Sequence, residues 1–425
     1  MNIHIVKIGE TIESIANTYG ISTERLISIN GLFNLPDLVA GQALLILIPD
    51  VTHRVQPGET IYSIVKYYGV TPMELLQKNP SLILRQEIYP DEELVITYME
   101  ERNKPISIYG YVYPAVQNNV LRRALPFVSK CAIFGYGFRA DGSLIPINDE
   151  KIIEACLQYQ TEPIMLITSI DESGGFGSGI PSLVFNDINL QNVVIANMLT
   201  IMAEKGYTGL DIDFEYIDPN DRDAFTAFVA NTTRQMNANG YTVNVDLAPK
   251  TSSTQQGTLY EGHDYRALGN AANTVLVMTY EWGYTYGPPM AVAPLPQVRQ
   301  VVSYAVTEIP SEKIYMGIPN YGYDWRLPFE RGISRADSIG NEQAILIAYR
   351  NNVQIQFDEI AQTPFFEYRD LAGVDHIVWF EDIRSIQKKF QLIDEFNLLG
   401  GGYWNLMRPF NQNWSFLGTQ YDIDK

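Results

Sequence analysis

Cysteine, histidine, long apolar runs and positive charge are all scarce in this sequence. Only two cysteines, Cys131 and Cys156, occur in 425 residues. A disulfide-stapled scaffold is thereby excluded. Both are expected as buried thiols, Cys131 in a strand over 130–137 and Cys156 in a helix over 149–159, with one Cys131–Cys156 bridge as the alternative. The histidines, His4, His53, His263 and His376, are scattered without ligand spacing, so no zinc centre and no cofactor are expected. No run of 18 apolar residues exists, which argues against a membrane-spanning helix. Lysine and arginine number 30 against 49 acidic residues, a net charge of −19. That balance disfavours nucleic acid and anionic lipid as partners and fits a neutral or cationic ligand. The start, MNIHIVKIGET, has neither a basic segment nor an apolar core; no signal peptide is expected, and synthesis in a cytoplasm is.

What the chain does have is an unusual run of acid. In GYTGLDIDFEY (206–216), Leu210, Ile212 and Phe214 alternate with Asp211, Asp213 and Glu215. Period two on a strand puts three apolar side chains on one face and three carboxylates on the other. The preceding segment, 193–205, reads as a helix stopped by Gly206. In a parallel sheet both faces are covered, so aligned carboxylates are costly unless one is protonated. A solvated edge strand is the bland alternative; a catalytic site is the better reading. Asp213 and Glu215 lie ~6.6 Å apart along such a strand. A carboxylate beside another has its pKa raised, which suits a general acid. A proton donor with a charged helper and no metal ligands suggests glycoside hydrolysis.

This stretch resembles the DxxDxDxE signature of family 18 glycoside hydrolases, the chitinase-like (β/α)8 barrels. Thr208, Asp211, Asp213 and Glu215 fall on its four positions, with Thr in place of the first Asp. Two further segments agree. Met278-Thr279-Tyr280-Glu281 is similar to the family's M-x-Y-D, with Glu for the last Asp. Gly317-Ile318-Pro319-Asn320-Tyr321-Gly322 is like its G-x-P-x-Y-G after the seventh strand. The resemblance implies Glu215 as proton donor, Asp213 as the group holding the substrate's acetamido N–H, Asp211 as the group setting the protonation of Asp213, and Tyr280 as the residue orienting the acetamido carbonyl. It implies substrate contacts from Met278, Glu281 and Tyr321, and Trp404, in GGYWN, as the floor beneath the cleaved sugar; Tyr109, an aromatic at the end of the first predicted strand, is a further candidate contact.

Upstream of the barrel, twelve residues from His4 to Asn30 recur 49 positions later, from His53 to Asn79. Two copies of one unit follow from that offset. Each reads strand, helix, helix, strand, with Thr11 or Thr60 as N-cap and Gly20 or Gly69 as stop. The V-x-x-G-E-T-I-x-S-I core and the I/L-x-x-x-N ending resemble LysM domains, modules that bind N-acetylglucosamine in peptidoglycan and chitin. By that resemblance sugar would sit against Gly9, Thr11, Ile12 and Asn30 in one copy and Gly58, Thr60, Ile61 and Asn79 in the other. Helix capping and core packing are the competing roles for each of these residues. The expected organisation is a first module over 1–49, a second over 51–97, a short charged joint over 98–105 and a catalytic domain over 104–425. So short a joint should hold the modules close to the barrel.

From 106 onward strands and helices alternate. Eight strands are predicted, at 106–112, 130–138, 163–169, 208–215, 242–248, 274–280, 313–320 and 400–405. A small α+β insertion separates the last two, with strand-like pieces at 353–357, 365–369 and 376–380, and should wall a shallow groove. The fold class is thus α/β, a (β/α)8 barrel behind two βααβ modules. Aromatics gather at predicted strand ends: Tyr109 and Tyr111, Tyr136, Tyr280 and Trp282, Tyr321 and Tyr323, Tyr403 and Trp404. Barrel core is the usual role of any one; their concentration near Glu215 suggests sugar stacking.

Wall-binding modules, an acetamido-dependent site and no export signal together look like the spore cortex-lytic N-acetylglucosaminidases of Bacillus-type spore formers. That resemblance implies a protein laid down on the spore from the mother cell that cleaves after N-acetylglucosamine in peptidoglycan during germination; a monomer is expected. A chitinase and a non-hydrolytic sugar-binding coat protein are the alternatives.

Overall fold

The computed structural model describes residues 2–85, 87–99, 104–169 and 179–425. The charged joint expected over 98–105 falls partly outside them. Eight parallel strands close into a barrel: β1 (Lys104–Val112), β2 (Lys130–Phe138), β3 (Glu162–Thr168), β4 (Gly209–Asp213), β5 (Thr242–Leu247), β6 (Thr274–Val277), β7 (Ile314–Pro319) and β8 (Gly400–Trp404). β1 pairs with both β8 and β2, which closes the ring. Helices such as Ile188–Lys205, capped by Asp187 and stopped by a left-handed Gly206, cover its outside. β4 is shorter than the acidic alternation suggests. Its ladder with β3 ends at Thr168↔Asp213, and Phe214 and Glu215 belong to the loop beyond. β6 likewise stops at Val277, because the Thr279 and Tyr280 amides turn back onto the Val277 and Met278 carbonyls.

Between β7 and β8 lies an antiparallel sheet of five strands, ordered Asp337–Ile339, Gly322–Leu327, Asp375–Trp379, Thr363–Arg369 and Gln356–Asp358, with the helix Asn341–Arg350 against it. Two of these strands are not foreseen from sequence. Gly322–Leu327 follows β7 after only two residues, so its apolar pattern merges with the barrel strand.

The two modules fold as the repeat predicts, with strands Asn2–Ile5 and Ala43–Ile46, then Pro49–Arg54 and Glu93–Tyr98, enclosing two helices each. Thr11 and Thr60 cap their helices reciprocally with Ser14 and Ser63. The repeated histidines acquire a role here. His4 lies 2.9 Å from Glu10 Oε2 and 3.1 Å from the Tyr19 hydroxyl, and His53 repeats this with Glu59 and Tyr68 at 2.7 and 3.2 Å.

The modules are welded to the barrel. The closing helix, Asn411–Gln420, has all ten residues buried. Its Gln412 amide donates to the Ala43 carbonyl (2.7 Å) and to Asn30 Oδ1 (2.8 Å), and Ser415 Oγ donates to the Ile29 carbonyl. From the second module the Gln77 amide reaches the Pro126 carbonyl, while the Tyr159 hydroxyl of the barrel reaches Ile83. Val39 of the first module packs inside the insertion's own core, beside Ile339, Ala348, Ile355 and Phe366. The Ile355 amide donates to Ala40 there. Gly41 sits at φ +83°, and a Cβ on it would come 1.9 Å from the Ile355 carbonyl oxygen, so only glycine fits.

Glu342, on the insertion's helix, meets Asn411, whose amide donates to Oε1 at 3.2 Å. Burial pushes this carboxyl up to about 7, against smaller opposing effects of that hydrogen bond and Arg123. A raised folded-state pKa means stability present below the ordinary value of 4.5 that is lost as pH rises through about 7. Glu342→Gln should remove that component. Denaturant midpoints of wild type and variant should diverge progressively from pH 4.5 to 7.5, the wild type losing ground; parallel curves would contradict the assignment.

Candidate active site

The carboxyl ends of the strands surround a cavity of about 580 Å³, lined among others by Asp213, Glu215, Asp246, Met278, Tyr280, Glu281, Trp282, Tyr323 and Trp404. β4 delivers its residues as the period-two pattern requires. Leu210, Ile212 and Phe214 enter the core between strands and helices, where Phe214 meets Phe185, Phe225 and Phe228. Asp211 and Asp213 point into the barrel. His263 fixes the exit of β4. Its Nδ1 accepts from the Ala248 amide (3.0 Å), and its Nε2 donates to the Phe214 carbonyl (3.1 Å). Burial holds the imidazole neutral, its pKa pushed down to about 4. Nothing in the sequence marks His263 as a support of Glu215.

The acidic groups form layers. Asp211 is deepest and fully buried; Asn244 donates to its Oδ1 at 2.9 Å. Burial pushes Asp211 up to about 6, while the Asn244 hydrogen bond opposes. Asp213 stands above it, raised well past the carboxylate range by burial and then by the Glu215 and Asp211 charges. Glu215 is raised by burial and by Glu281. Glu281 faces it across the cleft, held by the hydroxyls of Tyr321 and Tyr323. Tyr216 and Glu281, directly after the two loaded strand ends, adopt φ +55° and +67°. Left-handed backbone at non-glycine residues costs on the order of 1–3 kcal/mol and gathers at functional sites.

The structure therefore brings Asp211, Asp213, Glu215, Tyr280, Met278, Glu281 and Trp404 together. Two expectations are corrected. Tyr109 is barrel core, 1% exposed, tilted against Tyr111 and Tyr315 beneath Asp211. Alternation gives the face of a residue but not its depth, and Tyr111 and Tyr113, two and four residues on, are the ones against Trp404 (5.5 and 5.8 Å). Tyr321 is buried behind Glu281 rather than lining the cleft. Tyr136 and Tyr403 are also core. Tyr216, Tyr260 and Tyr284 on the rim, and Asp246 on the floor, were not foreseen. Thr208 is exposed at the foot of β4, its hydroxyl donating to Pro163; three residues below Asp211, roughly 10 Å down the strand, it leaves the acidic cluster untouched.

In the modules, Asn30 and Asn79 do not face a ligand. Asn30 bonds Leu26, Leu45 and Gln412; Asn79 bonds Leu75 and Val95. Both amides are consumed in tying a helix end to a strand. Ile12 and Ile61 are half-buried against module core. Gly9 and Thr11 do line a groove of about 460 Å³, with Asp37–Ala40 opposite and the insertion's Tyr349 and Gln354 as a further wall. Gly58 and Thr60 occupy the equivalent turn of the second module.

A (β/α)8 barrel with an acid-lined cleft at the carboxyl end of its fourth strand has the architecture of a glycoside hydrolase. The chain belongs to glycosyl hydrolases family 18: that family's sequence profile matches residues 160–408, and the LysM domain profile matches 4–47 and 53–97. It is 38% identical over 433 residues to the cortical fragment-lytic enzyme of Bacillus subtilis strain 168, covering 100% of this chain and 99% of that one. Identity to the enzyme of the same name from Bacillus anthracis is 37%, covering 99% and 98%. Among solved structures it resembles the Bacillus cereus spore cortex-lytic enzyme SleL, with TM-score 0.84, 36% identity and coverage of 99% and 98%. Cys131 and Cys156 are both buried free thiols, as expected. Among the described residues no helix is long and apolar enough to cross a membrane, and no cluster of metal-ligating side chains occurs.

Proposed function

We propose that the protein hydrolyses the β-1,4 bond after N-acetylglucosamine in spore-cortex peptidoglycan, with retention, using the substrate's own acetamido group as nucleophile. The observation that carries this reading is the placement of Asp213 and Glu215, which emerge two residues apart on one side of one cavity with Tyr280 and Trp404. Two carboxylates on the same side do not flank a sugar as a nucleophile and acid pair would. Glu215 donates its proton to the glycosidic oxygen as the bond to the anomeric carbon breaks. The acetamido oxygen attacks that carbon from the other face, giving an oxazolinium ion. Asp213 accepts the acetamido N–H and balances the developing positive charge, Asp211 sets the protonation of Asp213, and the Tyr280 hydroxyl donates to the acetamido oxygen. Glu215, now a base, takes a proton from water as it opens the ring. Trp404 lies beneath the sugar, with Met278 and Glu281 beside it; the modules hold the same polymer, the first in the groove that Gly9 and Thr11 line, the second at the equivalent turn of Gly58 and Thr60. The chain acts as a monomer at the spore cortex during germination.

Relatives named as cortical fragment-lytic enzymes, similar over nearly the full chain, support cortex, and fragments of it, over chitin. The test is digestion of purified cortex, of cortex fragments and of soluble chitin oligomers, with products identified by mass and reducing-end sugar. Fragments ending in reducing N-acetylglucosamine are expected. Cleavage of chitin oligomers alone would move the protein to the chitinases, and no product from any would leave a sugar-binding role.

A further inference from the structure

One buried carboxylate has no part in the steps above. β5 turns Asn244 and Asp246 into the barrel, and Asp246, 2% exposed, reaches the cleft floor beside Asp213, Met278 and Tyr280. The Tyr111 hydroxyl donates to its Oδ1 at 2.7 Å. The Asn244 amide nitrogen is 3.1 Å from that same oxygen and 2.9 Å from Asp211 Oδ1, so its two hydrogens are shared between two carboxyl groups. Asp211 Oδ2 and Asp213 Oδ1 are buried with no hydrogen-bond partner among the described residues. The titratable groups facing Asp246 are Tyr109 and Tyr111 from β1, Asp211 and Asp213 from β4, Glu215 beyond it, and Tyr280 beyond β6. None is a cation.

Three enclosed carboxyl groups without a cation cannot all ionise. The reaction needs a negative charge at Asp213, beside the forming oxazolinium, and a proton on Glu215. We propose that Asp246 is a positioning residue that stays protonated through the catalytic cycle, leaving the ionisation to the Asp211–Asp213 pair and holding Tyr111 and Asn244 in register beneath the sugar. Its Oδ1 already accepts from two donors, so the proton resides on Oδ2. The direction of its titration agrees: burial, then the Asp211 and Asp213 charges, raise it well above the carboxylate range, with the Tyr111 hydrogen bond opposing. Asp211, which takes the shorter Asn244 contact, is raised least of the three, to about 6, and is the member of the cluster best able to hold charge.

This inference rests on the reading of the reaction given above. The test compares Asp246→Asn, neutral and of the same shape, with Asp246→Ala, by pH–rate profiles on cortex fragments. The expected result is an Asn variant within about threefold of wild-type kcat with a superimposable profile, and an Ala variant at least tenfold lower in kcat with KM little changed. An Asn variant as impaired as Ala, or with its profile moved down by half a pH unit or more, means that Asp246 works ionised and overturns the proposal; so does full activity of Ala. Should Ala fail to fold, the carboxyl carbon-13 shift of Asp246, assigned by its loss in the Asn variant, decides. A neutral carboxyl at pH 7 supports the proposal and a carboxylate refutes it. A wild type that cleaves nothing would sink the reading of the reaction, and the carbon-13 titration would still report on Asp246.

Discussion

Glu215→Gln is expected to lower kcat on cortex fragments by ~10²–10⁴-fold, the usual loss when a positioned general acid is removed, while leaving substrate affinity near wild type. The amide keeps the shape of the carboxyl and cannot give up a proton. Glu215 lines the cleft rather than supporting the fold: β4 ends at Asp213, and the backbone beyond it is anchored by Phe214 and His263. Burial and the Glu281 charge across the cleft raise its carboxyl above the ordinary glutamate value, the direction that suits an acid that must later act as base. Turnover by mass spectrometry and affinity by calorimetry separate the two quantities. Wild-type turnover by this variant would remove Glu215 from the reaction.

Trp414→Ala should destabilise the protein by about 3–5 kcal/mol, the range for emptying a large aromatic site in a packed core. Trp414 is 3% exposed in the closing helix, its ring stacked 6.2 Å from Phe127 and tilted 5.1 Å from Tyr403. Tyr403 belongs to β8, and the Phe127 region also receives Gln77 of the second module through the neighbouring Pro126. The cavity therefore opens where barrel and modules meet, and both should loosen together. Chemical denaturation with tryptophan fluorescence measures the loss, and limited proteolysis between the modules and barrel reports the loosening. A variant as stable and protease-resistant as wild type would show that this contact does not hold the halves together.

The acidic cluster was legible in the sequence and much of its support was not. The alternation from Leu210 to Glu215 marked the cluster because three carboxylates on one strand face are costly to bury. The single Asp in TVNVDL carries no such signal: one acid in a strand is compatible with an exposed edge, and only the closed barrel turns Asp246 toward Asp211. Tyr109 and Tyr113 share a face, and nothing local says which layer is deepest. Asn30 and Asn79 recur at fixed offset, and a repeat reports structural need as readily as ligand contact; their bonds to Leu45 and Val95 identify the former. The docking of the modules was foreseen only as closeness. The closing helix, NQNWSFLGTQ, is rich in amides that would ordinarily face water, and the module partners of Gln412 lie 369 and 382 residues away in the chain.

The weld between modules and barrel changes how such a molecule travels over its substrate. A catalytic domain on a slack tether grazes a disc of wall around each anchorage, the radius set by linker length. Here Val39 sits in the insertion's core and Gln412 in the first module, so anchor and cleft form a single stiff body. On the proposed function, each landing offers the cleft one bond at one orientation. Progress along the polymer is then expected to depend on letting go, and a tighter grip by the modules to slow digestion once the nearest bond is cut.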